Sequence, residues 1–149
     1  MIREDKELLL LKDLCARLPY GVMAKFGDSN PSKITNITQY ADSNSWFVES
    51  EGESDGMCCP INNVKPYLFP LSSMSEDQKY EFYLKFIVKD CDCVFDYFKF
   101  CLDNGKWHKL LTSLLAVEEI IDWFHKNYID WRGLIPMGLA IDATGKNIY

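Results

Sequence analysis

Histidine is scarce in this chain. Of 149 residues only His108 and His125 are imidazoles, the one side-chain type that titrates near neutral pH without help from its surroundings. Glycine-rich phosphate loops, nucleophile elbows and paired-histidine zinc motifs are missing, so the activities that announce themselves through such motifs have no support. No Cys-x-x-Cys pair occurs among the six cysteines, and no hydrophobic run approaches the roughly 20 residues needed to cross a bilayer. Positive charge is in deficit: 16 Lys plus Arg against 22 Asp plus Glu leave a net charge of -6. Composition therefore offers no basic face for non-specific nucleic-acid binding. A secretory signal is not expected either. Acids precede the short apolar stretch Leu8 to Leu11, and Lys12-Asp13 follow it at once, whereas a signal has a basic start and a longer core. These features predict a cytoplasmic protein with reduced thiols, no membrane association, no cofactor and no nucleic-acid partner.

What is present is apolar and aromatic. Hydrophobic residues make up 48% and aromatics 14% of the chain, which argues against disorder. A chain of this length buries roughly 70% of its unfolded surface on folding, so it needs neither metal nor disulfide. It is expected to form one domain over 1–149: a helix to residue 19, a β unit over 20–71 and a mainly helical part over 72–149.

The first helix is expected to present Leu8, Leu11, Leu14, Cys15 and Leu18 on one face, broadened by Leu9 and Leu10, and to stop before Pro19. Val22, Ala24 and Phe26 alternate with Met23 and Lys25, as in a half-buried strand. Lys33 to Tyr40 departs from strict alternation, which predicts a bulge. Trp46 to Glu49, Cys58 to Ile61 and Lys65 to Leu68 complete a small curved antiparallel sheet or an SH3-like barrel. Ser75 and Gln78 fit a capping box. The helix it opens is expected to bury Tyr80, Tyr83, Leu84, Ile87 and Val88, with Phe82 and Phe86 beside that face. Residues 93 to 111 fit a helix closed by Asn104-Gly105, or a hairpin turning at Asp103-Asn104-Gly105; the β-rich composition favours the hairpin. Leu114 to Tyr128 reads as a helix, and the Gly- and Pro-interrupted tail after Arg132 as a short packed turn. The fold class is α+β.

Three segments carry a resemblance: Leu14-Cys-Ala-Arg-Leu-Pro-Tyr-Gly-Val22, Lys65-Pro-Tyr-Leu-Phe-Pro-Leu-Ser-Ser-Met-Ser75 and Asp130-Trp-Arg-Gly-Leu-Ile-Pro-Met-Gly-Leu-Ala140. Together they resemble a group of short uncharacterised proteins of gut-dwelling anaerobic bacteria and of their phages or integrated elements. The resemblance implies a phage or mobile-element origin and carries no activity with it. The chain departs from that group at Phe69, where relatives often have Arg, and at Asn127-Tyr128, where they often have two histidines.

Candidate sites are few. Cys91, Cys93, Cys101 and His108 could gather round a metal, although their spacings match no standard zinc pattern. Free cysteines are otherwise expected to be small buried hydrophobes. His125, near a helix end, is expected to cap that end or lie on the surface. Arg132 is expected to pair with Asp130 or Asp122. Tryptophan is enriched at binding hot spots, and Trp46 and Phe47, adjacent on a strand, must face opposite ways. Trp46, Phe47, Phe69, Trp131 and Arg132 are therefore the candidate partner-binding residues. The leading expectation is a non-enzymatic protein-interaction module with a protein partner. A cysteine-based metal protein or enzyme is the alternative, and a small-barrel nucleic-acid binder the next.

Overall fold

The computed structural model describes residues 3–52, 56–87, 95–106 and 114–149. Helix α1 (Arg3–Arg17) stops just ahead of Pro19. A 3-10 turn, Leu18–Tyr20, follows. Gly21 then takes φ 72 and donates its N–H to the Leu18 carbonyl, a left-handed conformation that glycine adopts without steric cost.

Strands β1 (Met23–Phe26), β2 (Ser32–Gln39), β3 (Trp46–Ser50), β4 (Cys58–Pro60) and β5 (Val64–Leu68) come next. With the short β6 (Ile141–Asp142) they form a curved six-stranded sheet of order β4-β3-β2-β1-β5-β6. The alternation in β1 has the expected outcome: Val22, Ala24 and Phe26 are buried. The expected irregularity in β2 is a register shift between Ile34 and Asn36. The order ends on β4 and β6, so the sheet is open, not a closed barrel.

The sheet is also not wholly antiparallel. β6 pairs parallel with β5, matching Tyr67 with Ile141 and Leu68 with Asp142. The last residue joins it as well: the Tyr149 hydroxyl donates to the Tyr67 carbonyl at 2.7 Å and accepts from the Met23 N–H at 3.2 Å. The tail thus belongs to the sheet, beyond the turn expected from its sequence.

Two compact units form, one from residues 1–68 and 132–149 and the other from 69–131. The second is helical. Ser75 caps α2 (Glu76–Phe82) with both bonds of the capping box, Gln78 N–H to the Ser75 hydroxyl at 3.1 Å and Ser75 N–H to the Gln78 side chain at 3.0 Å. A π-helical turn, Tyr83–Ile87, continues it. Helix α3 (Phe95–Asp103) and helix α4 (Leu114–Lys126) complete the unit. Its core is aromatic: Phe82 meets Phe86, Phe98, Trp123 and Phe124 with ring centroids 5.0, 5.6, 5.2 and 5.3 Å away.

The hairpin expected within 93 to 111 is not formed over the described part, because Phe95–Asp103 is helical. Phe98, Cys101 and Leu102 are buried on one helical stripe, and the glycine serves as a helix stop. Gly105, at φ 65, donates to the Leu102 carbonyl and Lys106 to that of Cys101. That bond pair is a Schellman motif, which uses the same Asn-Gly dipeptide that a hairpin turn would.

Candidate functional site

The first unit holds a cluster of charge inside its core. Asp13 and Arg17 lie one turn apart on α1 and both are fully buried. Arg17 grips the carboxylate at two points, Nε to Oδ2 at 2.7 Å and Nη2 to Oδ1 at 3.2 Å. Arg132, at the start of the C-terminal segment, brings Nε to 3.3 Å from Asp13 Oδ1. Arg132 thus makes an internal ion pair with Asp13, a partner that the expectation of Asp130 or Asp122 did not include.

Burying Asp13 and Arg17 turns α1 away from the expected face. Leu10, Leu11, Asp13, Leu14 and Arg17 point inward, while Leu8 is 50% exposed and Cys15 is also on the surface. Leu8 and Leu11 then line an open groove of about 320 Å³ together with Glu7, Asn44, Ser45 and Trp46. Trp46 stands on the same face of β3 as buried Val48, and Phe47 on the other. Phe47 meets exposed Tyr40 edge-on, centroids 5.1 Å apart, and the Tyr40 hydroxyl lies 3.7 Å from the Cys58 sulfur. That hydrogen bond, followed by Coulombic interaction with Cys58, raises the Tyr40 pKa above the ordinary phenol value.

The other aromatic candidates are committed inside the second unit. Phe69 forms a parallel bridge with Ile129, donating to the Tyr128 carbonyl and accepting from Asp130 N–H. Its side chain is half-buried against the aromatic core, as is that of Trp131. The Trp131 indole N–H donates to His125 Nε2 at 3.0 Å. His125 is not the surface residue that was one of its two expected roles: it is 5% exposed, and an indole can only donate, so this nitrogen serves as an acceptor.

Of the proposed metal set, Cys101 is buried in α3, and Cys91, Cys93 and His108 lie outside the described residues. Among the described residues no group of three or more His, Cys, Asp or Glu could hold a metal ion. The expectation of buried thiols holds for Cys101 and fails for Cys15 and Cys58, which are exposed. Partial burial raises the Cys15 pKa, which makes that thiol a poorer nucleophile near neutral pH.

Sequence reasoning also missed Lys79. It is nearly buried on α2, with Nζ 3.1 Å from Asp103 and 3.6 Å from Glu76. A polar cleft of about 320 Å³ in the second unit is lined by Glu81, Lys85, Glu119, Asp122, Trp123 and Asn127, among others. The Trp123 indole donates to Glu81 there at 3.3 Å. No described helix is long and apolar enough to cross a membrane. No protein-family model, curated protein or solved structure matches the chain.

Proposed function

We propose that the protein is a non-enzymatic interaction module of phage or mobile-element origin, working in the cytoplasm and docking a protein partner on the groove between α1 and β3. The observation that carries this reading is Leu8, half exposed on a helix and set beside Trp46. Covering the half of the leucine side chain that is still exposed contributes roughly 1 kcal/mol, and tryptophan is enriched at binding hot spots. Glu7, Asn44 and Ser45 line the same groove. They suit a partner that inserts an apolar side chain and offers hydrogen-bond donors or a cation beside it. The origin rests on the three resembling segments.

A photo-crosslinking side chain placed at Leu8 tests the reading, with the same side chain at Thr144 as the control. In cells that naturally make the protein, position 8 should trap one partner in a discrete one-to-one product, and Trp46→Ala should abolish it. Equal trapping from position 144, or a product indifferent to Trp46→Ala, would refute the proposal.

A further inference from the structure

The outer face of the sheet places two lysines where sheet physics disfavours them. Lys25 on β1 lies directly opposite Lys65 on β5 in an antiparallel pair. Side chains so placed leave the same face with their Cβ atoms about 4.5–5.5 Å apart, and like charges there repel. Among the described residues neither lysine forms an ion pair with a carboxylate. The chain as a whole is acidic, at -6, so this is a local concentration of positive charge against the general trend.

The two lysines wall a cavity of about 420 Å³ with Gly27, Asp28, Asn62, Asn63 and Ile141. Asn62 and Asn63 belong to the 3-10 turn Ile61–Asn63, which enters β5 directly. Gly27 N–H donates to the Asn63 carbonyl at 2.9 Å, so the turn and the β1–β2 loop are tied together at the mouth. Each asparagine amide offers two N–H donors and each ammonium three.

We propose that this cavity binds a single dianionic phosphate group, held by the Lys25 and Lys65 ammonium groups and by the Asn62 and Asn63 amides. Two positive charges side by side match one dianion, whose binding converts a repulsive pair into two charge-assisted contacts. Asp28 lines the same wall, and its negative charge opposes the binding of longer polyanions. Inorganic phosphate and small phosphomonoesters share the required chemistry. This site is independent of the Leu8–Trp46 groove.

Titration of the isotope-labelled full chain with inorganic phosphate, followed by amide NMR at constant ionic strength set with chloride, tests the assignment. Saturable shifts are expected at Gly27, Asn63 and Lys65, and they should vanish in K25Q/K65Q. Because Lys25 is half-buried, K65Q alone provides a second variant at an exposed position. Loss of one charged contact should weaken binding about tenfold or more. A parallel titration with O-phosphoserine separates the sources: tighter binding than inorganic phosphate identifies a phosphomonoester, equal or weaker binding the free ion. Shifts that fail to saturate, that spread over other lysines, or that persist in both variants would overturn the proposal. Affinity that grows with the length of an oligonucleotide would replace it with nucleic-acid binding.

Discussion

Replacing Asp13 by Asn should be among the most damaging single changes in the first unit. The substitution keeps size and shape and removes only the charge. Arg17 is fully buried and holds both carboxylate oxygens, at 2.7 and 3.2 Å. Without the carboxylate the buried guanidinium loses its counter-charge. Breaking a buried pair from one side costs about 3–5 kcal/mol. Removal of Arg132 should be milder. Its side chain is 24% exposed and approaches Asp13 at 3.3 Å, so Arg132→Ala leaves the Asp13–Arg17 pair intact and should cost about 1–2 kcal/mol. The double change D13L/R17M removes both charges and fills the space with apolar atoms. Buried pairs treated in this way end up about neutral, or about 1–4 kcal/mol more stable.

Urea denaturation measures the series. With a slope of about 2 kcal/mol per molar, D13N should lower the midpoint by roughly 1.5–2.5 M. Because the chain forms two compact units, amide hydrogen exchange over residues 10–17 gives a local reading of the same loss. The reasoning fails if D13N stays within about 1 kcal/mol of the parent, the range of an ordinary substitution, or if it costs less than R132A. It fails equally if D13L/R17M is as damaging as D13N, since the loss would then come from packing and not from a stranded charge.

Three further outcomes are expected. Ser75→Ala removes one bond of the capping box outright and should lower stability by about 1 kcal/mol, read as a reduced urea midpoint together with faster exchange at the start of α2. The Asp142 pKa is lowered by the Thr144 hydroxyl and, next, by the Thr144 N–H. A depressed carboxylate pKa stabilises the fold above the unfolded value, about 3.9, and that contribution is lost as pH falls through the folded one. Thr144→Val should therefore raise the Asp142 pKa in an NMR titration and make β6 open at a higher pH during acidification; an unmoved pKa would remove the hydroxyl as its cause. Alkylation of the native protein, resolved by peptide mass spectrometry, should modify Cys58 before Cys15, whose thiol pKa is raised by burial, and should reach Cys101 only on unfolding. Modification of Cys101 at the rate of Cys58 would contradict its burial.

Local chemistry was readable wherever one residue type has one dominant use. Pro19 ended the helix, Ser75 and Gln78 built their box, the β1 alternation sorted its faces, and Trp46 and Phe47 parted to opposite sides of β3. The hairpin expected at Asp103-Asn104-Gly105 failed because that peptide suits two structures equally. An Asn-Gly pair can reverse a strand or stop a helix, and the choice depends on what the preceding residues can bury. Here Phe98 and Leu102 reach the same aromatic cluster as Phe82 and Phe124, a packing gain that local propensity does not contain. Strand β6 was invisible for a related reason. Two residues pairing in parallel with β5 leave no periodicity to detect, and their partner lies far away in sequence.

The misread helix faces share one physical cause, and it bears on function. On α1 the expected stripe was Leu8, Leu11, Leu14, Cys15 and Leu18, broadened by Leu9 and Leu10; Leu10, Leu11 and Leu14 are buried as expected, but Asp13 and Arg17 join them while Leu8 and Cys15 are exposed. On α2 and its π-helical extension the expected stripe held Tyr80, Tyr83, Leu84, Ile87 and Val88, with Phe82 and Phe86 beside it; Phe82, Phe86 and Ile87 are buried together with Lys79, whereas Tyr80 and Leu84 are about half exposed and Val88 lies outside the described residues. In both cases the buried stripe includes a charged residue that apolar spacing does not place there, since lone buried charges are so costly. In both cases its charge is met inside the same unit, Asp13 by Arg17 and Arg132, Lys79 by Asp103 and Glu76. The spacing of Asp13 and Arg17, four apart among leucines, was the available signal, since that spacing places an acid and a base within reach on one helical face. The rotation has a consequence at the surface. A helix that turns Asp13 and Arg17 inward must turn Leu8 outward, so the buried ion pair and the exposed groove beside Trp46 are two results of one choice of face.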